Sequence, residues 1–373
     1  KQSHRQKMTK ISSITIKGFK SILSLDQFAL NDLNVLIGAN GSGKSNFVSY
    51  FEMLGELIEQ RLQIWVKKQG GSDRLLSFGI KTTKQIESSI RFGSNGYDLI
   101  LEPTDNGEFV FSQEQLYFDG PYYDITKPRL GSGHSETNII DEMKHGTSQK
   151  IATFCYHAIA GWKVYHFHDT SKTAGVKRYG ALHDNEYLRG DASNLAAFLY
   201  RMKKENPGAY QQIIKVIQLA IPFFDDFILR PRKLSTGEEQ INLLWKQKDS
   251  DYPFWPSQLS DGSIRFICIA TVLLQPKAPT TIIIDEPELG LHPYAIALIA
   301  SLIRSAANRM QIIISTQSIP LINEFSINDL IVVERENGAS LFKRHNKIDF
   351  QEWIKEYSLG ELWEKNILGG KPR

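Results

Sequence analysis

The chain has few cysteines: only Cys155 and Cys268 in 373 residues, far apart and each inside an apolar segment. Two isolated thiols argue against a disulfide scaffold and against a cysteine-built metal site. They are expected to be buried as small hydrophobes in a reducing compartment. Long apolar runs are also missing. No stretch approaches the roughly 18 residues a membrane span requires, so no membrane partner is expected. Residues 1–7 are polar, the first methionine is Met8, and no apolar stretch follows. That start does not read as a secretory signal, and the expected location is cytoplasmic.

An excess of either charge is absent too. The 44 basic and 41 acidic side chains leave a net charge of +3. This balance does not announce a nucleic-acid binder, but it allows a local basic patch. There is no internal repeat, no low-complexity tract and no sustained heptad pattern. Without heptads the chain cannot carry long coiled-coil arms. With 41% hydrophobic and 23% charged residues, the composition suits a globular protein of one large domain or two ordinary ones.

The pattern that is present begins with a strand over Ile11–Ile16 and an apolar run over Leu33–Ile37. A glycine-rich turn follows, and then helical spacing of Phe47, Phe51, Leu54, Leu57 and Ile58 over residues 45–61. Short alternating stretches over 86–92, 97–101, 108–111 and 115–118 predict an antiparallel sheet. Residues 127–148 lack periodicity and predict a loop. Helices are expected over 149–161, 192–205 and 207–221, and short strands over 226–232 and 240–246. From Ser260 the pattern becomes α/β: helix 260–274, strand 280–284, helix 293–308, strand 311–315 and strand 329–334. Four segments result: 8–125, 126–235, 236–346 and a helical tail 347–373.

Gly38-Ala39-Asn40-Gly41-Ser42-Gly43-Lys44-Ser45 fits the P-loop pattern G-x-x-x-x-G-K-S/T. Glycines let successive N–H groups turn inward around phosphate oxygens, and the helix that follows points its positive end at the same anion. Lys44 is the candidate for the β- and γ-phosphates, and Ser45 for Mg²⁺. ATP with Mg²⁺ is the expected ligand. Far downstream, the apolar strand Thr281–Ile284 ends in Asp285-Glu286. Asp285 is the candidate Mg²⁺ carboxylate and Glu286 the candidate general base. Between them, Ser260 and Asp261 suit the start of a capped helix, and such an N-terminus is also a candidate anion site.

Weaker signals remain. His166, His168 and Asp169 in Tyr165-His166-Phe167-His168-Asp169, with His183-Asp184 nearby, contain metal-ligating residue types. The simpler account is a half-buried strand with His166 and His168 on one face. A milder alternative has this segment lining a dimer face near the nucleotide with Arg178 and Arg189. Basic clusters at Lys67-Lys68, Arg201–Lys204 and Arg230–Lys233 are candidates for DNA phosphates, though most such runs are solvated surface.

The order of these motifs resembles the ABC-type ATPases of the SMC/RecF class, and within them the AAA-21 or OLD-like predicted ATPases. Ile16-Lys17-Gly18-Phe19-Lys20-Ser21 is similar to the start of an SMC head. Gly38–Ser45 with Asn46 resembles its Walker A, and Ile282–Glu286 its Walker B. Leu259-Ser260-Asp261-Gly262-Ser263 resembles the ABC signature, with Asp261 where the family often has glycine. Glu286-Pro287-Glu288-Leu289-Gly290-Leu291-His292-Pro293 looks like the D-loop region of the OLD-like group. The ending, with Trp353, Tyr357, Trp363 and Gly369-Gly370, resembles one predicted-ATPase subgroup; its aromatics suit a docked terminal helix.

The resemblance implies an α/β ABC-ATPase head: a mixed N-terminal sheet, a helical insertion and a parallel-sheet C-terminal lobe. It implies that Lys20, Ser21, Gly38, Asn40, Gly41, Ser42, Gly43, Lys44, Ser45 and Asn46 approach the nucleotide. Ser260 and Gly262 would close on the ATP of a second copy, so a head-to-head homodimer is expected. Gln317 stands where the family has a switch histidine. It can orient water but cannot take a proton, so slow turnover is expected. A nuclease or toxin effector is the implied partner. A nucleotide-gated scaffold and a RecF-like DNA-repair ATPase are the competing readings.

Overall fold

The computed structural model describes residues 9–122, 124–171 and 173–370, so the polar stretch 1–7, Met8 and the last residues of the tail segment lie outside it. The chain opens with β1 (Ser13–Phe19), β2 (Ile22–Ala29) and β3 (Leu33–Ile37). Next come β4 (Ile86–Phe92), β5 (Asn95–Pro103), β6 (Phe109–Phe118) and β7 (Arg129–Gly131). β8 (Trp162–Tyr165) follows the helix Gln149–Ala160. Five short strands occupy the middle: β9 (Gly180–Ala181), β10 (Phe224–Ile228), β11 (Arg232–Lys233), β12 (Glu239–Ile241) and β13 (Leu244–Gln247). The last four are β14 (Thr281–Asp285), β15 (Gln311–Thr316), β16 (Leu330–Glu336) and β17 (Ala339–Lys343).

The central sheet runs β17-β16-β3-β15-β14-β8. From β16 to β8 its neighbours are parallel, and only the hairpin β16–β17 is antiparallel. Its strands come from the start, the middle and the end of the chain. A parallel sheet needs both faces covered, and the sequence supplies strands with apolar residues on both faces. Alternate residues feed two cores. Val35, Ile37, Ile282, Ile284, Ile312 and Ile314 face the helices Asp261–Leu274, Pro293–Ala307, Leu195–Glu205 and Pro207–Ala220. Leu36, Ile283, Ile313, Ile331 and Val333 face the helix Lys44–Ile58 and the second sheet.

That second sheet is antiparallel, in the order β2-β1-β4-β5-β6-β7. Two expectations are corrected here. The expected strands 108–111 and 115–118 are one strand, β6, which stays paired with β5 through an irregularity near Ile100 and Leu101. The expected loop 127–148 contains β7 and the helix Ile139–His145. Glu114 organises this segment. It is fully buried and accepts from Tyr97, Thr137, the Asn138 N–H and His134. Such polar anchoring has no apolar periodicity to betray it. Cys155 and Cys268 are buried free thiols, as expected. Among the described residues no helix is long and apolar enough to cross a membrane.

Candidate nucleotide site

β3 is buried along its whole length and releases the chain at Gly38, at the edge where β15 and β16 flank it. The loop turns back through Gly41 and Gly43, both with positive φ, into the helix Lys44–Ile58. Gly43 admits no other residue. A Cβ there would sit 1.9 Å from Ser340 Oγ and 2.8 Å from Ser21 Oγ. Those hydroxyls belong to a bracket behind the loop. Ser340 Oγ donates to the Ser42 carbonyl at 2.6 Å and lies 2.7 Å from Ser21 Oγ. Asn46 Nδ2 donates to Ser21 Oγ at 2.7 Å. The predicted residues Ser21, Ser42, Gly43 and Asn46 thus support one another.

Lys44 is buried, and its ammonium donates to the carbonyls of Gly38 at 2.6 Å and Ala39 at 3.0 Å. Burial lowers its pKa, opposed by the charges of Glu286, Asp285 and Glu288. Ser45 is exposed on the first helical turn. The Ser42 hydroxyl is buried without a hydrogen-bond partner among the described residues. A glycine-shaped cradle, an orphaned hydroxyl, a helix N-terminus and a lysine facing carboxylates fit a nucleotide's phosphates and their Mg²⁺. Lys20 sits differently. Its φ is +48°, and its ammonium donates to Ser49 at 2.6 Å and lies over the Trp65 ring.

β14 delivers the acidic half. Asp285 accepts from Ser315 Oγ and lies 3.7 Å from His168 Nε2. Glu286 has a left-handed backbone, φ +46°, and its N–H donates to the Ser315 carbonyl at 2.9 Å. For a residue with a Cβ that conformation is costly, and it re-aims the carboxylate beyond the strand end. Gln317 Nε2 donates to Asn40 Oδ1 at 2.5 Å and to Glu286 Oε1 at 3.2 Å. Three segments distant in sequence meet at this one amide.

The sequence assigns Glu288 no role beyond its motif. It accepts from Thr316 Oγ1 at 2.5 Å, while its Oε2 is buried without a partner among the described residues. Burial raises its pKa. The available signal was a third carboxylate, after a proline, in Asp285-Glu286-Pro287-Glu288. Two backbone brackets were also missed. Arg335 donates to the Gly41 carbonyl at 2.9 Å, and the Gly370 carbonyl accepts from the Ala39 N–H at 2.8 Å.

The signature segment is a capped helix N-terminus at the surface. Ser260 Oγ accepts from the Ser263 N–H at 3.1 Å, and Gly262 packs against the Gly290 carbonyl. No hydrogen bond joins Ser260 or Gly262 to the P-loop of the same chain among the described residues. Asp261 pairs with Lys177 at 3.1 Å, which holds its carboxyl below the usual range. Arg265 ties this helix to its surroundings. Its guanidinium donates to the carbonyls of Phe167 at 2.8 Å, His168 at 3.0 Å and Leu289 at 2.9 Å.

The histidine segment needs a correction. β8 ends at Tyr165, so His166 and His168 lie past the strand, although Tyr165 and Phe167 still point into the core. Asp169 is exposed and turned to the Ser171 N–H. The carboxylate that meets the two histidines is Asp285. Asp184 pairs with Arg189 instead. Of the basic clusters, Lys67, Arg201 and Lys203 form ion pairs with Glu108, Glu205 and Asp226.

Residues 159–323 match the family model described as "AAA domain, putative AbiEii toxin, Type IV TA system". The phosphate import ATP-binding protein PstB 2 of Mycobacterium tuberculosis is 36% identical over 98 residues, covering 24% of this chain and 34% of that protein. The Mycobacterium bovis protein of the same name matches equally. The chain therefore spans about a third of the length of the curated relatives it matches. Among solved structures, an Smc head bound to the C-winged helix domain of ScpA superposes with a TM-score of 0.60 at 15% identity, covering 92% of this chain and 99% of that one. An Smc head with an extended coiled coil, bound to the C-terminal domain of ScpA derived from Pyrococcus furiosus, gives 0.55 at 15% identity, covering 93% and 98%. These likenesses show the fold of an SMC-type ATPase head.

Proposed function

We propose that this chain, an ABC/SMC-like ATPase of the AAA-21 group, binds ATP with Mg²⁺ and hydrolyses it slowly at a site completed by a second copy of itself. The observation that carries this reading is the Gln317 amide held between Asn40 of the P-loop and Glu286 at the end of β14. Phosphate-binding loop, candidate base and candidate sensor are in contact in a single chain. Backbone N–H groups of residues 41–45 and the Lys44 ammonium hold the phosphates. Ser45 and Asp285 hold Mg²⁺, which when bound neutralises charge on the phosphate oxygens. Glu286 takes the proton of the attacking water. Gln317 orients that carboxylate and the water. It has no basic nitrogen, and this limits turnover.

The signature completes the site in trans. Ser260 and Gly262 present a helix N-terminus outward, where the γ-phosphate of a second copy can meet it. The Lys177 partner offsets the charge of Asp261 at that face. ATP thereby joins two heads and hydrolysis releases them. Residues 126–235 form short strands and helices rather than arms, which suits a compact coupling to an effector of the nuclease or toxin kind.

The test is the mass of the purified chain with and without ATP. Glu286→Gln is expected to trap an ATP-dependent dimer and abolish phosphate release. Lys44→Ala is expected to remove ATP binding and the dimer together. A Glu286→Gln protein that stays monomeric at saturating ATP would sink the trans arrangement. If that variant dimerises and keeps full biological output, turnover is dispensable and the chain is a nucleotide-gated scaffold.

A further inference from the structure

At the carboxyl edge of the central sheet, β8 and β14 run parallel with Tyr165 opposite Ile284. The next residue along the chain is therefore His166, just past the end of β8, on one side and Asp285, the last residue of β14, on the other. Two residues on, His168 reaches the same place, its Nε2 3.7 Å from Asp285 Oδ2. One ligand atom from each of His166, His168 and Asp285 lies within 4.8 Å of the other two. Metal bonds of about 2.1 Å place two donors up to about 4 Å apart, so closing this group on an ion takes side-chain shifts of under about 1 Å. The histidine side chains, 39% and 40% exposed, have room for such shifts.

The surroundings are those of a held ligand set. Tyr165 and Phe167 are anchored in the core, so the residues between and after them must face the other way. Arg265 clamps the carbonyls of Phe167 and His168. Glu52 engages His166 Nε2 at 2.6 Å. A proton held on Nε2 by that carboxylate leaves Nδ1 as the basic nitrogen, the usual way an outer carboxylate fixes a ligating imidazole. Two imidazoles and one carboxylate favour a borderline ion over Mg²⁺, whose preferred donors are all oxygen.

We propose that His166, His168 and Asp285 form a site for a divalent transition-metal ion of the Zn²⁺ or Co²⁺ type, separate from the Mg²⁺ expected beside Ser45. Three protein donors leave a coordination position open to water. The site borrows Asp285 from the nucleotide reading but does not depend on it, because its donors are brought together by the register of β8 on β14. If it shares Asp285 with nucleotide Mg²⁺, the two ions are thermodynamically coupled, and each alters the affinity of the other.

The experiment titrates the nucleotide-free full chain with Co²⁺, followed by visible absorption, and with Zn²⁺, followed by calorimetry, both in excess Mg²⁺. One ion per chain is expected to bind and to resist Mg²⁺. His166→Gln and His168→Gln, which keep a polar surface side chain, are each expected to weaken binding by about tenfold or more. His183→Ala, outside the group, is expected to bind like the parent protein. Absence of a bound-Co²⁺ spectrum, displacement by Mg²⁺, or binding that both glutamine variants leave unchanged would each overturn the proposal. None of these readouts requires ATP binding, so the nucleotide reading could fail without affecting them.

Discussion

Gln317 is the residue on which the candidate chemistry turns. Its amide spans Asn40 and Glu286, so it can set the carboxylate's angle but cannot store a proton. Gln317→His places an imidazole at the same point, and turnover is expected to rise by about tenfold or more. Phosphate release measured at saturating ATP checks this; an unchanged or reduced rate would count against the proposed limit. Glu288 makes a different prediction. Burial raises its pKa above that of the unfolded chain. A group raised in this way contributes stability below its unfolded pKa and loses it as pH rises through the folded value. At neutral pH a charged Glu288 therefore weighs against the fold. Glu288→Gln keeps an acceptor for Thr316, and it is expected to raise Tm at neutral pH while changing it little near pH 4. Thermal melts across that range test the sign.

At the scale of elements, the terminal segment docks a helix and also braces the P-loop, a contact that its sequence did not disclose. The helix Leu359–Glu364 is started by a capping box between Ser358 and Glu361 and buries Leu362 and Trp363. Trp353, by contrast, remains exposed. The chain then returns to the P-loop. The Gly370 N–H donates to Glu334 Oε1 at 2.9 Å, and its carbonyl accepts from the Ala39 N–H. Gly370 has φ +85°, and a Cβ there would lie 2.9 Å from Val332 Cγ1. Gly370→Val combines backbone strain with a clash, and should free the Ala39 N–H. With one hydrogen bond worth about 1 kcal/mol, ATP binding is expected to weaken by about fivefold. A fluorescent-nucleotide titration measures it; an unchanged affinity would show that the tail does not brace the loop. Elements with strong apolar periodicity, such as β3, β14 and the helix Lys44–Ile58, were legible to within a few residues. The helix Ile139–His145 was not, because it is only seven residues long: Ile139, Ile140 and Met143 pack on the core, and its entry is fixed by the Asn138 N–H on Glu114.

For the molecule as a whole, the outward-facing signature is the prediction with the widest reach. Ser260→Arg places a bulky side chain where a second copy would close. It is expected to leave ATP binding intact and to weaken ATP-dependent self-association by about tenfold or more. Light scattering with ATP reads the second effect and a nucleotide titration the first. Loss of both together would place Ser260 in a folding role instead.

The amino-acid sequence alone determined the ATPase reading. The P-loop's glycines, lysine and serine are consecutive, and the acidic pair ends an apolar strand, so local spacing carries the chemistry. The alternation of helices and strands after Ser260 also marked an α/β lobe, and the resemblance to ABC-type heads implied that its sheet is parallel. Other features were decided by tertiary structure alone. Asp285, rather than Asp169, meets His166 and His168, because the register of β8 on β14 brings their ends together. Asn40, Glu286 and Gln317 share hydrogen bonds because β15 lies between β3 and β14. Gly370 reaches Ala39 because the tail folds back over β16. Each of these contacts joins positions far apart in sequence, and strand order and register have no local signature for such pairings.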